Sequence, residues 1–172
     1  MVTLDRIRLI GLLRKKPWRQ GFFYGPVHWP PMWVAEHSGE TTASAERIWR
    51  IWADVDSWPE WNGDIERIEI DGPFEGGSTI VMTPIGGEPI ELRIAEATPP
   101  EAFVDEANLG DVIVRTVHRA ERLGDGRSRV TYRMEITGPA ADTLGPRIGP
   151  EISGDFPETI AALTARAEGA ET

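Results

Sequence analysis

The chain has 172 residues, 40% of them hydrophobic, with 18 lysines and arginines against 28 aspartates and glutamates, a formal net charge of −10. It is long enough to bury one substantial core without staples, and its composition is that of an ordinary soluble globular protein. There is no cysteine, which excludes disulfides, thiolate chemistry and thiolate zinc sites.

The first 32 residues carry six basic side chains against Asp5, a charge of +5, so residues 33–172 hold −15. Such a body repels phosphate backbones and is not expected to bind nucleic acid. Residues 3–14 (TLDRIRLIGLLR) place Leu4, Ile7, Ile10 and Leu13 three apart, predicting a short basic amphipathic helix that ends near Pro17. Through residues 3–16 it suits an anionic membrane surface or a partner, or it packs as a terminal helix on its own domain or a symmetry mate. Residues 9–13 are too short for a signal-peptide core, and no apolar run approaches the roughly 18 residues of a membrane span, so a cytoplasmic location is expected. Residues 21–33 (GFFYGPVHWPPMW) read as an extended aromatic strap over a pocket rim or a dimer contact. A homo-oligomer stays open on that account. Two units follow: an extension, 1–32, and a domain, 33–172.

Residues 34–42 predict a first strand leading to Ser44, a good N-cap. The run SAERIWRIWADVDSWPEW, residues 44–61, gathers Ile48, Trp49, Ile51 and Trp52 on one broad helical face. A second short helix starts at Asp56 or Ser57, with Pro59 tolerated in its first turn. Trp58 and Trp61 lie one turn apart there. Four large rings this close need a concave partner.

From Ile65 the period becomes two. Ile65, Ile68 and Ile70 run into the turn Asp71-Gly72-Pro73, and Gly76-Gly77 and Gly86-Gly87 bracket a further strand. Ile90, Leu92 and Ile94 alternate with Glu91 and Arg93. Pro99-Pro100 ends that strand, and AFVDEANL follows. Gly124-Asp125-Gly126 joins the last two strands as a hairpin. Val130, Tyr132, Met134 and Ile136 share a face against Thr131, Arg133 and Glu135, which predicts an antiparallel sheet with one wet face. Leu144, Ile148, Ile152, Phe156, Ile160 and Leu163 then stripe a long helix over Ala140–Ala167, with kinks or a break predicted at Gly145-Pro146, Gly149-Pro150, Gly154 and Pro157.

Residues 41–77 (TTASAERIWRIWADVDSWPEWNGDIERIEIDGPFEGG), the hairpin of residues 118–139 and the Gly-interrupted last helix resemble the SRPBCC superfamily of START-like domains. Within it the polyketide cyclase/dehydrase-like group is the most similar. The resemblance covers roughly residues 33–168 and omits the extension. It implies an α+β helix-grip fold: a curved antiparallel sheet of six or seven strands around a long C-terminal helix. It also implies an apolar cavity between the two. The inward candidates for that cavity are Trp49, Trp52, Trp61, Met82, Leu92, Ile94, Phe103, His118, Tyr132, Met134, Ile152 and Phe156, large side chains that either line a cavity or fill it.

The parity of Val112 and Val114 places Thr116 and His118 inward and Arg115 and Arg119 outward. His118 with Tyr132 then makes a candidate acid–base pair, because imidazole titrates near neutrality and a phenol donates to a developing enolate. The plainer alternative is a core histidine with both nitrogens satisfied. His28, His37 and His118 show no metal-ligand spacing, so no metal is expected. No phosphate-cradling loop and no Gly-x-Ser-x-Gly elbow occurs, and no cofactor is expected. Three functions stay in view: binding of a small hydrophobic or aromatic metabolite, a cyclase or dehydratase activity without a motif to assign its catalytic residues, and an interaction or membrane role through the basic helix.

Overall fold

A computed structural model describes residues 33–169. The basic helix and the aromatic strap up to Met32 lie outside the described residues, as does the boundary between the two units. Strand β1 (Trp33–Thr41) leads through Ser44 into helix α1 (Ala45–Ala53), a 3-10 turn at Val55–Ser57 and a single-turn helix α2 (Trp58–Trp61). Six strands follow: β2 (Ile65–Asp71), β3 (Thr79–Pro84), β4 (Ile90–Thr98), β5 (Ala102–Asn108), β6 (Ile113–Gly124) and β7 (Arg127–Thr137). Helices α3 (Ala141–Ser153) and α4 (Phe156–Gly169) close the chain. The seven strands form one antiparallel sheet in the order β1-β7-β6-β5-β4-β3-β2. This is the α+β helix-grip arrangement, with the C-terminal helix bent at Gly154-Asp155.

Local chemistry explains most of these boundaries. The Ser44 hydroxyl accepts from the Arg47 N–H at 3.3 Å, a side-chain cap, and Glu46 sits in the positive first turn of α1. Asp125 and both flanking glycines adopt positive φ in the β6–β7 hairpin, which is why a Gly-Asp-Gly run stands there. The sheet's outer face is wet and laddered with charge: Arg115 bridges Glu96 and Glu106, each at 2.7 Å, and Arg133 joins Glu36 to Glu135.

Inside, Ile48 and Trp52 of α1 and Ile148, Ile160 and Leu163 of α3 and α4 pack on Ile80, Ile94, Val130, Met134 and Ile136 of the sheet. Where helices cross β1, the backbone must come close. A Cβ on Gly39 would meet Ile160 at 2.9 Å, and Cβ atoms on Gly145 and Gly149 would meet the Trp33 side chain at 2.6 and 2.5 Å. Thus the glycines of α3 are seats for one indole, while Pro146 and Pro150 stand on its exposed side. At the far end, the Glu168 carboxylate accepts from Thr41 Oγ1 at 2.8 Å and the Thr42 N–H at 2.9 Å, clasping α4 to the start of the α1 connection.

Candidate functional site

Trp52 is the keystone of the interior. Its indole Nε1–H donates to the Tyr132 hydroxyl at 3.2 Å, and its carbonyl accepts from Trp58 Nε1 at 3.0 Å. Both tryptophans are thereby fixed by hydrogen bonds as well as by packing, which a buried indole N–H requires. Trp52 also meets Phe103 edge-on, with centroids 5.3 Å apart. Strand register then lays Phe103, His118 and Tyr132 in one row across β5, β6 and β7. Phe103 and His118 stack at 4.1 Å with rings parallel to within 1°, and Tyr132 stands edge-on to His118 at 4.3 Å.

Between this row, the α1–α2 segment and the bend of the C-terminal helix lies a cavity of about 240 Å³. Of the twelve candidates from the sequence, nine line it: Trp52, Trp61, Met82, Leu92, Phe103, His118, Tyr132, Ile152 and Phe156. Trp49, Ile94 and Met134 do not. Trp49 is half-buried on the flank of α1, packed edge-on against Phe74 at 5.6 Å. Ile94 and Met134 are the ends of a second cross-strand row, Ile94–Asp105–Thr116–Met134, whose middle pair reaches the cavity while the ends are sealed in core. Ile85, 49% exposed, and the exposed Asp64 mark the mouth.

Asp105 is the residue that the sequence reading missed. It alternates with Phe103 and Ala107 on β5, all three of which face inward. The pattern was legible in principle, but Val104 is apolar too and Glu106 follows, so the run AFVDEANL carries no clean period. Asp105 is 8% exposed and His118 9%, with Oδ2 and Nδ1 3.7 Å apart. Among the described residues the Asp105 carboxyl makes no hydrogen bond and His118 Nδ1 has no hydrogen-bond partner.

Burial decides the protonation of these groups. Desolvation pushes the Asp105 carboxyl up to about 7, helped by Glu106 and opposed by Arg115. It pushes the His118 imidazole down to about 3 against the backbone of Phe103 and Thr116. It also raises Tyr132 against the hydrogen bond from Trp52. The expectation that His118 titrates near neutrality is thus corrected. Burial favours the neutral imidazole of His118, and the group pushed toward neutral pH is the carboxyl beside it.

The lining is largely apolar and aromatic, and its polar groups include Asn62, Thr116, His118 and Thr159 as well as carboxyls. Among the described residues it includes Asp64, Asp105, Glu151 and Asp155, and no lysine or arginine. No helix among the described residues is long and apolar enough to cross a membrane.

Residues 32–168 match the family model described as polyketide cyclase / dehydrase and lipid transport. None of the curated proteins compared matches the chain. Among solved structures, a norcoclaurine synthase from Thalictrum flavum, a point mutant bound to a transition-state analogue, is similar at 17% identity and a TM-score of 0.66, over 81% of this chain and 96% of that one. A START superfamily protein from Mycobacterium smegmatis is similar at 18% identity and 0.63, over 79% and 97%. An aromatase/cyclase from Streptomyces sp. R1128 is similar at 17% identity and 0.65, over 78% and 93%. At these identities the likeness is one of fold.

Proposed function

Because the chain belongs to the polyketide cyclase / dehydrase and lipid transport family, we propose that it binds a small hydrophobic or aromatic molecule in the cavity between sheet and C-terminal helix. The observation that carries this is a pre-formed cavity of about 240 Å³ whose lining is mostly apolar and aromatic, with a few polar side chains set among it. Ligand sites have this make-up: apolar walls that hold the body of a molecule and a few fixed polar groups that orient it. The volume lies below the about 300–1,000 Å³ of most ligand pockets, so the occupant is compact.

Native mass spectrometry of the protein from its own host is expected to reveal a co-purifying compound at one per chain. Titration with 1-naphthalenemethanol is expected to saturate at one site and to change the emission of Trp52, Trp58 and Trp61. Val114→Trp, which fills the cavity from β6, is expected to weaken that binding at least tenfold while the circular dichroism stays native. Unchanged binding in the filled variant places the ligand elsewhere and sinks the reading.

A second reading, a cyclase or dehydratase, is favoured by one observation: Asp105 is poised near neutrality beside the Tyr132 hydroxyl row. In that chemistry Asp105, and not His118, accepts the proton from carbon, while Tyr132 donates to the developing enolate. Turnover of a compound recovered from the cavity is then expected to rise with pH through about 7, and Asp105→Asn is expected to abolish that rise. A pH-independent rate that survives the substitution eliminates this mechanism.

A further inference from the structure

Among the described residues, every side chain that lines the cavity with a formal charge is a carboxylate, and one of them lies at its floor. Asp105 is more than nine-tenths buried and makes no hydrogen bond among the described residues, and the neighbouring His118 Nδ1 is likewise without a hydrogen-bond partner. A buried carboxyl without a donor costs stability unless something supplies one. Here the gap faces the cavity, and no described residue of the lining fills it.

Aromatic rings stand beside this gap. Phe103, His118, Trp52 and Tyr132 lie within a few ångströms of one another on the cavity wall. Aromatic faces attract cations through their quadrupoles, most strongly where water is excluded. At the mouth, Asp64 is exposed. A carboxylate there raises the local concentration of a positively charged ligand and repels an anionic one. A fatty acid or other carboxylate would meet no lysine or arginine among the described lining residues and would face Asp105 directly.

We infer that the cavity takes a compact apolar or aromatic molecule bearing an amine, with the ammonium group on the Asp105 carboxylate and the apolar body among Trp52, Trp58, Met82 and Phe156. This rests on the reading of the cavity as a ligand site and narrows it to one ligand class. The ammonium supplies the donors that the floor lacks, so binding converts an unpartnered buried acid into a charge-assisted hydrogen-bonded pair.

Isothermal titration at pH 7.5 with 1-naphthylmethylamine, 1-naphthalenemethanol and 1-naphthoic acid separates the claims, because the three share a ring system and differ in charge. The amine is expected to bind at least tenfold more tightly than the alcohol, and the acid to give no measurable binding. In Asp105→Asn and Asp105→Leu the amine is expected to fall to the level at which the alcohol binds the same variant. An alcohol that equals or exceeds the amine overturns the amine assignment and leaves the cavity reading standing. An amine advantage that survives both substitutions overturns it as well. Failure of all three compounds to bind removes the cavity reading, and the amine assignment with it.

Discussion

Asp105→Asn is expected to stabilise the protein at pH 8 and to leave it no more stable than the parent at pH 4. The carboxyl stands at about 7 in the folded chain against 3.8 when free. A folded value above the unfolded one makes its contribution favourable below about pH 4, and that contribution is lost as pH rises to about 7. Ionising Asp105 in place therefore costs about 4 kcal/mol at pH 8. The asparagine amide is also buried without partners, a penalty of about 1–3 kcal/mol, so the net gain at pH 8 is about 1–3 kcal/mol. At pH 4 only the amide penalty remains. His118 runs the other way. With its imidazole pushed down to about 3, stability is lost as pH falls from about 6.5. The two trends offset each other between about pH 4 and 6.5 in the parent, so its own pH profile hides both. Denaturant unfolding of parent and variant at the two pH values measures the difference, and an equal effect at both refutes a buried, unpartnered Asp105. A site residue whose removal stabilises the fold is the expected pattern where function requires a destabilised group.

Gly149→Ala is expected to destabilise by about 1–3 kcal/mol or more, although the same change in an unobstructed helix interior gains about 1 kcal/mol. The new methyl would stand 2.5 Å from Cδ2 and Cε2 of Trp33 and 2.6 Å from Cε3. An indole is a rigid plate seated against strand and helix, so it has little room to give way. Trp33→Ala removes the obstacle, and in that background Gly149→Ala is expected to reverse sign and stabilise. Thermal or denaturant unfolding of the four proteins of this cycle gives the coupling directly. If the alanine costs the same in both backgrounds, the clash with Trp33 is not its cause.

These two sites also show what a sequence does and does not make legible. Local chemistry was readable: the Ser44 cap, the Gly-Asp-Gly hairpin, and the inward parity of Val114, Thr116 and His118 on β6. The sheet count reached its upper expectation of seven, and the bend of the C-terminal helix falls at Gly154-Asp155 among its predicted places. Gly145 and Gly149 read as interruptions of that helix, yet they lie within α3, because their partner is an indole more than 110 residues earlier. Periodicity cannot carry a contact across that distance. Protonation was likewise out of reach, since His118 and Asp105 take their titration from burial, and burial belongs to the assembled fold.

The order β1-β7-β6-β5-β4-β3-β2 puts two strands that are neighbours in sequence at opposite edges of the sheet. The strands from β2 to β7 form a meander of short connections, whereas β1 pairs Trp33 with Ile136 at the other end of the chain. Closing so long a loop is slow compared with forming a hairpin. On the ribosome β1 emerges first among the strands and its partner β7 last, so β1 waits unpaired while the rest is made. A waiting strand is an open template for aggregation. Its sequence, WVAEHSGET, answers that hazard: two glutamates, a glycine, a histidine and a serine dilute its apolar residues. The same Glu36 and Glu40 find Arg133 and Arg129 only once β7 arrives. The charges that keep the first strand soluble during synthesis become its outer clasps in the finished sheet.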